Sequence, residues 1–391
     1  MSKHHYLSDT VIDLKPSGIR RFFDLAAGME GVISLGVGEP DFVTSWSIRE
    51  ASILSLEEGY TAYTANAGLL ELREEISRYM VNKFGVKYSP KEEVIVTVGA
   101  SQALDITFRA ILNPGDEVII VEPCFVAYES IVKLAGGVPV SVQTSSQDEF
   151  KLQPEQIEAV ITPRTKAILI CTPNNPTGSV LVKEELEKIA EIVEKYDLLV
   201  ISDEIYAELC YDQDYTSFAK IDRMHERTIV INGFSKGFAM TGWRLGFAVG
   251  PKEFIQAMLK IHQHTMMCAP TMAQYGAIEG LKNGMQDVAD MKKSYNRRRN
   301  YFVKSLNEIG LDCYMPGGAF YAFPSIKRTG MTSEEFAENL LKEEKVAVVP
   351  GNVFGASGEG HIRCSYASSI EQLQEAIKRM KHFIEQLQIN V

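Results

Sequence analysis

The chain has 391 residues, with 51 acidic against 40 basic side chains, a formal net charge of −11, 45% hydrophobic residues and 23% charged ones. That acidity argues against a nucleic-acid partner, since phosphate backbones are gripped by surplus Lys and Arg. It still allows a local basic pocket for a small anion. The six cysteines (Cys124, Cys171, Cys210, Cys268, Cys313 and Cys364) form no C-x-x-C pair, and the seven histidines have no metal-ligand spacing. Reduced thiols in the cytoplasm are therefore expected rather than a disulfide framework, and no metal is expected. With no apolar signal core and no apolar run of spanning length, no membrane association is expected either.

Length alone suggests two domains or one large core with an appendage. Residues 1 to about 15 are polar and read as a loose end. Pro16–Ala26 reads as a helix with proline near its start and Ile19, Phe22 and Phe23 on one face. Val32–Leu35 is a short strand running into the Gly/Pro turn Gly36–Phe42. Tyr60–Gly68 is a polar, aromatic loop, and Leu69, Leu72, Ile76, Tyr79 and Met80 then mark one face of a helix.

From Val94 the pattern becomes strand and helix in alternation. Val94–Val98 passes through Gly99-Ala100-Ser101-Gln102 into a helix carrying Leu104, Phe108, Ile111 and Leu112. A small-residue turn at a helix N-terminus presents free N–H groups and suits an anion. It lacks the G-x-G-x-x-G pattern, which disfavours a dinucleotide. Strands are predicted at Val118–Val121, Val138–Val142, Ala167–Cys171, Leu198–Ser202, Thr228–Asn232 and Leu245–Gly250, seven in all with the first. Intervening helices include one with Leu186, Ile189, Val193 and Tyr196 on its inner face. The class is α/β: a large domain with a seven-stranded, mostly parallel sheet flanked by helices. Its boundaries read as 46–286. A segment of residues 1–45 would join a smaller α+β domain over 287–391. That smaller part begins with a polar helix whose Arg297, Arg298 and Arg299 read as a solvated face. It has strands predicted at Gly317–Phe323, Val346–Val349 and His361–Tyr366, the last holding Arg363.

Ligands in such sheets bind beyond the carboxyl ends of the strands. There the sequence places Glu122–Tyr128, Thr172–Gly178, Asp203-Glu204-Ile205-Tyr206 and Ser235-Lys236. Lys236 lies among Phe234, Phe238, Met240 and Trp243 with no acid in the run. A buried lysine without a partner tends to lose its charge, and a neutral amine forms a Schiff base with a carbonyl compound. Ser235 and Arg244 supply donors for a phosphate. A lysine snorkelling to water is the bland alternative.

Gly38-Glu39-Pro40-Asp41-Phe42, Asn175-Pro176-Thr177-Gly178, Asp203-Glu204-Ile205-Tyr206, Ser235-Lys236 with Arg244, and Arg363, in this order, resemble the fold-type I, class I/II aminotransferases. The resemblance covers about residues 31–385. Within the family it is nearest to the Bacillus-type aminotransferase A group, associated with N-acetyl-LL-2,6-diaminopimelate in lysine biosynthesis. The resemblance implies pyridoxal 5′-phosphate (PLP) as cofactor and a two-half-reaction exchange between an L-amino acid and a 2-oxo acid, glutamate and 2-oxoglutarate forming one pair. It implies that Lys236 binds the cofactor covalently and moves the proton, that Asp203 pairs with the pyridine nitrogen, and that Tyr206 and Asn175 donate to the phenolate oxygen. Phe125 would stack on the ring, while Ser235, Arg244, Ala100, Ser101 and Gln102 would hold the phosphate. Tyr63 would reach the phosphate of a neighbouring subunit, which implies a homodimer with shared sites. Arg363 would clamp the substrate α-carboxylate, with Asn175 and the Gly38 backbone beside it, and Arg20 is the candidate reader of the distal group. Aspartate or aromatic transamination, a PLP-dependent β-lyase and a non-catalytic ligand-sensing domain are the alternatives.

Overall fold

A computed structural model describes residues 6–14, 16, 18–19 and 28–389 of the chain. The expected helix over Pro16–Ala26 falls mostly on residues outside that set, as do Arg20 and residues 1–5. Asp9–Ile12 forms one short helix.

β1 (Ile33–Ser34) lies apart from the main sheet. That sheet is built from β2 (Val94–Thr97), β3 (Glu117–Glu122), β4 (Val138–Gln143), β5 (Thr165–Cys171), β6 (Leu199–Asp203), β7 (Thr228–Gly233) and β8 (Gly246–Val249). Four short strands follow: β9 (Tyr321–Ala322), β10 (Val346–Ala347), β11 (Val349–Pro350) and β12 (Ile362–Ser365). The seven-stranded order is β2-β8-β7-β6-β5-β3-β4. β3 through β7 pair in parallel, and β8 runs antiparallel to both its neighbours, β7 and β2.

Runs of Val, Ile and Leu make these strands because β-branched side chains fit a pleated surface that is buried on both faces. Side chains alternate across the sheet with period two. Ala167, Leu169, Ile201 and Ile229 pack with Leu104, Phe108 and Ile111 of the helix Gly99–Ile111. Ile168, Ile170 and Val200 face the other way, onto Leu186, Ile189 and Val193 of the helix Lys183–Lys195. Tyr196 falls beyond that helix and is exposed. β4 is an edge strand with only Val142 buried, so its apolar run overstated its burial.

The C-terminal layer departs more from expectation. Gly317–Phe323 supplies only the two residues of β9, and the predicted strand Val346–Val349 is split. Its first half, β10, pairs in parallel with β1. Its second half continues as β11, which joins β12 and β9 in an antiparallel three-stranded sheet. The helices Met285–Glu308, Ser333–Glu344 and Ile370–Ile389 cover these strands through Phe302, Phe336, Leu340, Leu373 and Phe383. Of the arginine run read as a solvated face, Arg297 is exposed but Arg298 and Arg299 are not. Arg299 is 3% exposed and holds Asp212 with two N–H groups, at 2.6 and 2.8 Å. Arg298 reaches Asp41 at 2.8 Å.

Candidate active site

Four parallel strands, β3, β5, β6 and β7, end side by side, and the loops after them converge on a cavity of about 560 Å³. Its walls carry Phe125, Asn175, Asp203, Tyr206, Ser235 and Lys236, and the turn at Ala100 and Ser101 closes one end. Gly38, Tyr321 and Arg363 close the other. Most of the candidate residues thus meet in one place although they are spread over more than half of the sequence.

Lys236 follows β7 in a turn packed on Phe234, Phe238 and Met240, all buried. The amine itself points into the cavity, where Nζ donates to the Gly38 carbonyl at 2.6 Å and lies 6.0 Å from the Tyr206 ring centroid. Burial pushes its pKa down to about 8; Glu39 opposes the shift, and Arg363 and Arg244 add to it. Near neutral pH a useful fraction of this amine is therefore uncharged and nucleophilic. Cofactor-free protein is accordingly expected to capture PLP covalently at a rate that rises with pH through about 8. Stopped-flow absorbance measures this, and a rate that stays flat from about pH 6 to about pH 9 would contradict it.

Asp203 ends β6 and is 4% exposed. Its Oδ2 accepts from the Tyr128 hydroxyl at 2.7 Å and its Oδ1 from the Ile205 amide at 3.2 Å. Burial raises the carboxyl's pKa, while both hydrogen bonds and the charge of Lys236 hold it down. A carboxylate kept in place this way, deep in a cavity, calls for a cation opposite. Tyr206 is buried, with its hydroxyl 2.9 Å from that of Tyr321. Burial keeps this phenol protonated and able to donate.

Arg363, on β12, is 3% exposed. Nη1 donates to Asn175 Oδ1 at 2.8 Å and Nη2 to the Gly36 carbonyl at 2.7 Å. Since Asn175 accepts through its oxygen, its amide N–H groups remain as donors. At the opposite end, Arg244 donates to the Thr241 carbonyl at 3.1 Å, and its guanidinium packs against Gly99. A Cβ on Gly99 would lie 2.8 Å from Arg244 Nη2, and Gly99 has φ +75°, so a side chain there would disturb the cradle on both counts.

Two candidates are placed otherwise. The Gln102 side chain turns away from the cavity: Oε1 accepts from the Val98 amide at 2.6 Å and Nε2 meets His262 Nδ1 at 2.9 Å. Only its backbone is left to serve an anion. Tyr63 is 77% exposed and does not line the cavity of its own chain. Among the lining residues that sequence did not single out as site residues are Tyr128, Cys171 and Tyr321.

The residues fit PLP by their chemistry. There is a nucleophilic amine for the aldehyde, a buried carboxylate for the pyridinium, phenol and amide donors for the ring oxygen, and a helix N-terminus with an arginine for the phosphate. A model of the aminotransferase class I and II family matches residues 30–380. The chain belongs to the class I and II aminotransferases. It is a PLP-dependent enzyme of that family. Over 379 residues it is 70% identical to the "Putative aminotransferase YugH" of Bacillus subtilis, covering 97% of this chain and 98% of that one. It is 44% identical over 380 residues to the "Probable N-acetyl-LL-diaminopimelate aminotransferase" of the same organism, covering 97% and 96%. A solved structure of a double mutant of Thermus thermophilus aspartate aminotransferase superposes with a TM-score of 0.92 at 41% identity, covering 96% of this chain and 99% of that chain. Among the described residues no helix is long and apolar enough to cross a membrane.

Proposed function

We propose that the enzyme exchanges amino groups between an L-amino acid and a 2-oxo acid, with glutamate and 2-oxoglutarate as one pair. The observation that carries this reading is Arg363, a buried guanidinium fixed by Asn175 and Gly36 on the wall that faces Lys236. A planar fork so placed suits the α-carboxylate of an amino acid whose Cα lies over the lysine.

When bound, PLP supplies an electron sink for the pair left on Cα. Asp203 holds the ring nitrogen protonated, which is what makes the sink effective. Tyr206 and the Asn175 amide donate to the ring oxygen, and Phe125 covers the ring face. The amides of Ala100, Ser101 and Gln102, with Ser235 and Arg244, hold the phosphate. The amine of Lys236 would hold the cofactor and, when free, would serve as the general acid–base that moves the proton of the amino acid's Cα. The Gly38 carbonyl, which accepts from that amine at 2.6 Å, keeps it within the cavity. Tyr63 completes the phosphate site of a partner subunit; its exposure, with that of Trp46, Leu54 and Tyr60 nearby in sequence, supports a homodimer. The enzyme acts in the cytoplasm. The chain divides into residues 1–45, 46–286 and 287–391; the helices 285–308, 333–344 and 370–389 share one cluster, which Leu35 of the first part joins and which meets the large domain at Tyr206 and Leu209.

N-acetyl-LL-2,6-diaminopimelate is the donor to test first, on the 44% identity to a protein of that name. Aspartate is the second reading, supported by the superposition at a TM-score of 0.92, with aromatic amino acids alongside it. A half-reaction panel decides: the PLP form is mixed with acyl-diaminopimelate, glutamate, aspartate and tyrosine, and the rates of bleaching to the pyridoxamine form are ranked. Bleaching by none of them would refute transamination of these donors. Pyruvate and ammonia released without any 2-oxo acid would mark a β-lyase instead. Arg363→Ala is expected to raise KM for the amino acid by about tenfold to a hundredfold, the value of about 1.5–3 kcal/mol for a lost hydrogen bond to a charged group. An unchanged KM would remove Arg363 from the α-carboxylate.

A further inference from the structure

We propose that Tyr321 is a positioning residue with two separable roles: its ring seats the Arg363 guanidinium, and its hydroxyl sets the direction of the Tyr206 proton. The proposal rests on the reading of Arg363 and Tyr206 given above.

The ring role follows from packing. Arg363 Cζ lies 4.4 Å from the centroid of the Tyr321 ring and 4.9 Å from that of Phe354. Nη1 and Nη2 each have a hydrogen-bond partner, but Nε is buried without one. The two hydrogen bonds hold the terminal nitrogens, and the two rings, with centroids 4.4 and 4.9 Å from Cζ, add contacts that oppose displacement of the guanidinium. Cation–π attraction is strongest where water is excluded, and Arg363 and Tyr321 are 3% and 1% exposed. The sheet keeps the pair together: β9 and β12 are antiparallel neighbours, with Tyr321 opposite Ser365 and Ala322 opposite Cys364.

The hydroxyl role follows from counting protons. The Tyr206 and Tyr321 hydroxyls are 2.9 Å apart, and each phenol has one proton to give. If Tyr321 donates, Tyr206 accepts and its own proton is free for the cavity. Gly38 makes room for this arrangement, since a Cβ there would lie 2.8 Å from the Tyr321 hydroxyl oxygen. Burial keeps both phenols protonated. The charged and titratable groups acting on the pair are Arg363, Lys236, Glu39 and the Cys171 thiol.

Two substitutions separate the roles. Tyr321→Phe keeps the ring and removes the hydroxyl. A proton aimed at the cofactor's ring oxygen favours the deprotonated form of the nitrogen beside it. Losing that orientation is expected to move the pH titration of the bound cofactor's absorbance upward by roughly half a pH unit, with KM for the amino acid within about twofold of wild type. Tyr321→Leu removes both features, so the same upward shift is expected together with a KM raised roughly five- to tenfold. An unmoved titration in Tyr321→Phe, or a KM raised equally by both variants, overturns the proposal. The Phe variant is close to isosteric and remains informative if the Leu variant fails to fold. The titration needs no substrate. A wild-type enzyme that turned over none of the amino acids would thus count against the transamination reading, while the titration still judged Tyr321.

Discussion

Lys236→Ala is expected to lose transamination by at least about a thousandfold. A positioned general acid–base contributes on the order of 10²–10⁴ in rate, and on the reading proposed above the same side chain also tethers the cofactor. No neighbour stands ready to replace it. The Tyr206 and Phe320 ring centroids lie 6.0 and 5.9 Å from its amine, and burial holds the phenol protonated. The fold should survive, because Lys236 forms no ion pair among the described residues and its apolar neighbours Phe234, Phe238 and Met240 keep their packing. The variant should still bind PLP, weakly and without the covalent link. Single-turnover mixing with the best donor of the panel measures the loss, and turnover within tenfold of wild type would overturn the assignment of the lysine.

The second large effect is expected at Asp203. Asp203→Asn preserves shape and keeps one acceptor oxygen, enough for either the Tyr128 hydroxyl or the Ile205 amide but not for both in place, and it removes the charge. On the proposed reading, the ring nitrogen would then no longer be held protonated, and the negative charge developing on the substrate would lose its counterweight. Electrostatic groups of this kind are worth about 10²–10³ in kcat. A loss of that size is expected in kcat more than in KM, since Asp203 does not line the Arg363 end of the cavity. A kcat within threefold of wild type would show that the carboxylate serves only the local turn.

Much of this site was legible because it lies where strands end. Asp203 and Lys236 each follow an apolar run, and the topology of a parallel sheet brings such positions together whatever the loops do. Tyr128 was not legible. It is the second residue of the helix Ala127–Leu134 and is buried; only the pairing of β3 with β5 and β5 with β6 brings its hydroxyl to Asp203. Tyr321 was hidden for a similar reason, since its partners come from the register of β9 against β12, which a two-residue strand does not advertise. At Gln102 the sequence did not separate the backbone from the side chain. A polar residue in an anion-binding turn looked like a ligand, but its amide closes the turn onto the Val98 N–H and His262. Arg298 and Arg299 looked solvated because consecutive charges usually are; each instead meets a carboxylate far off in sequence, at Asp41 and Asp212.

The pairing of β1 with β10 fixes when the cleft can exist. Gly36 and Gly38, whose carbonyls receive Arg363 and Lys236, are carried on the stretch that leaves β1, and Gly36 lies 327 positions from the arginine it holds. During synthesis the main sheet has all its strands once β8 has left the ribosome, long before Val346 or Arg363 has been made. The wall around the lysine therefore closes among the last events of folding, after a loop of nearly the whole chain has been brought back on itself. A nascent chain halted between β8 and β10 would hold its nucleophile on a complete sheet with no clamp to receive a substrate.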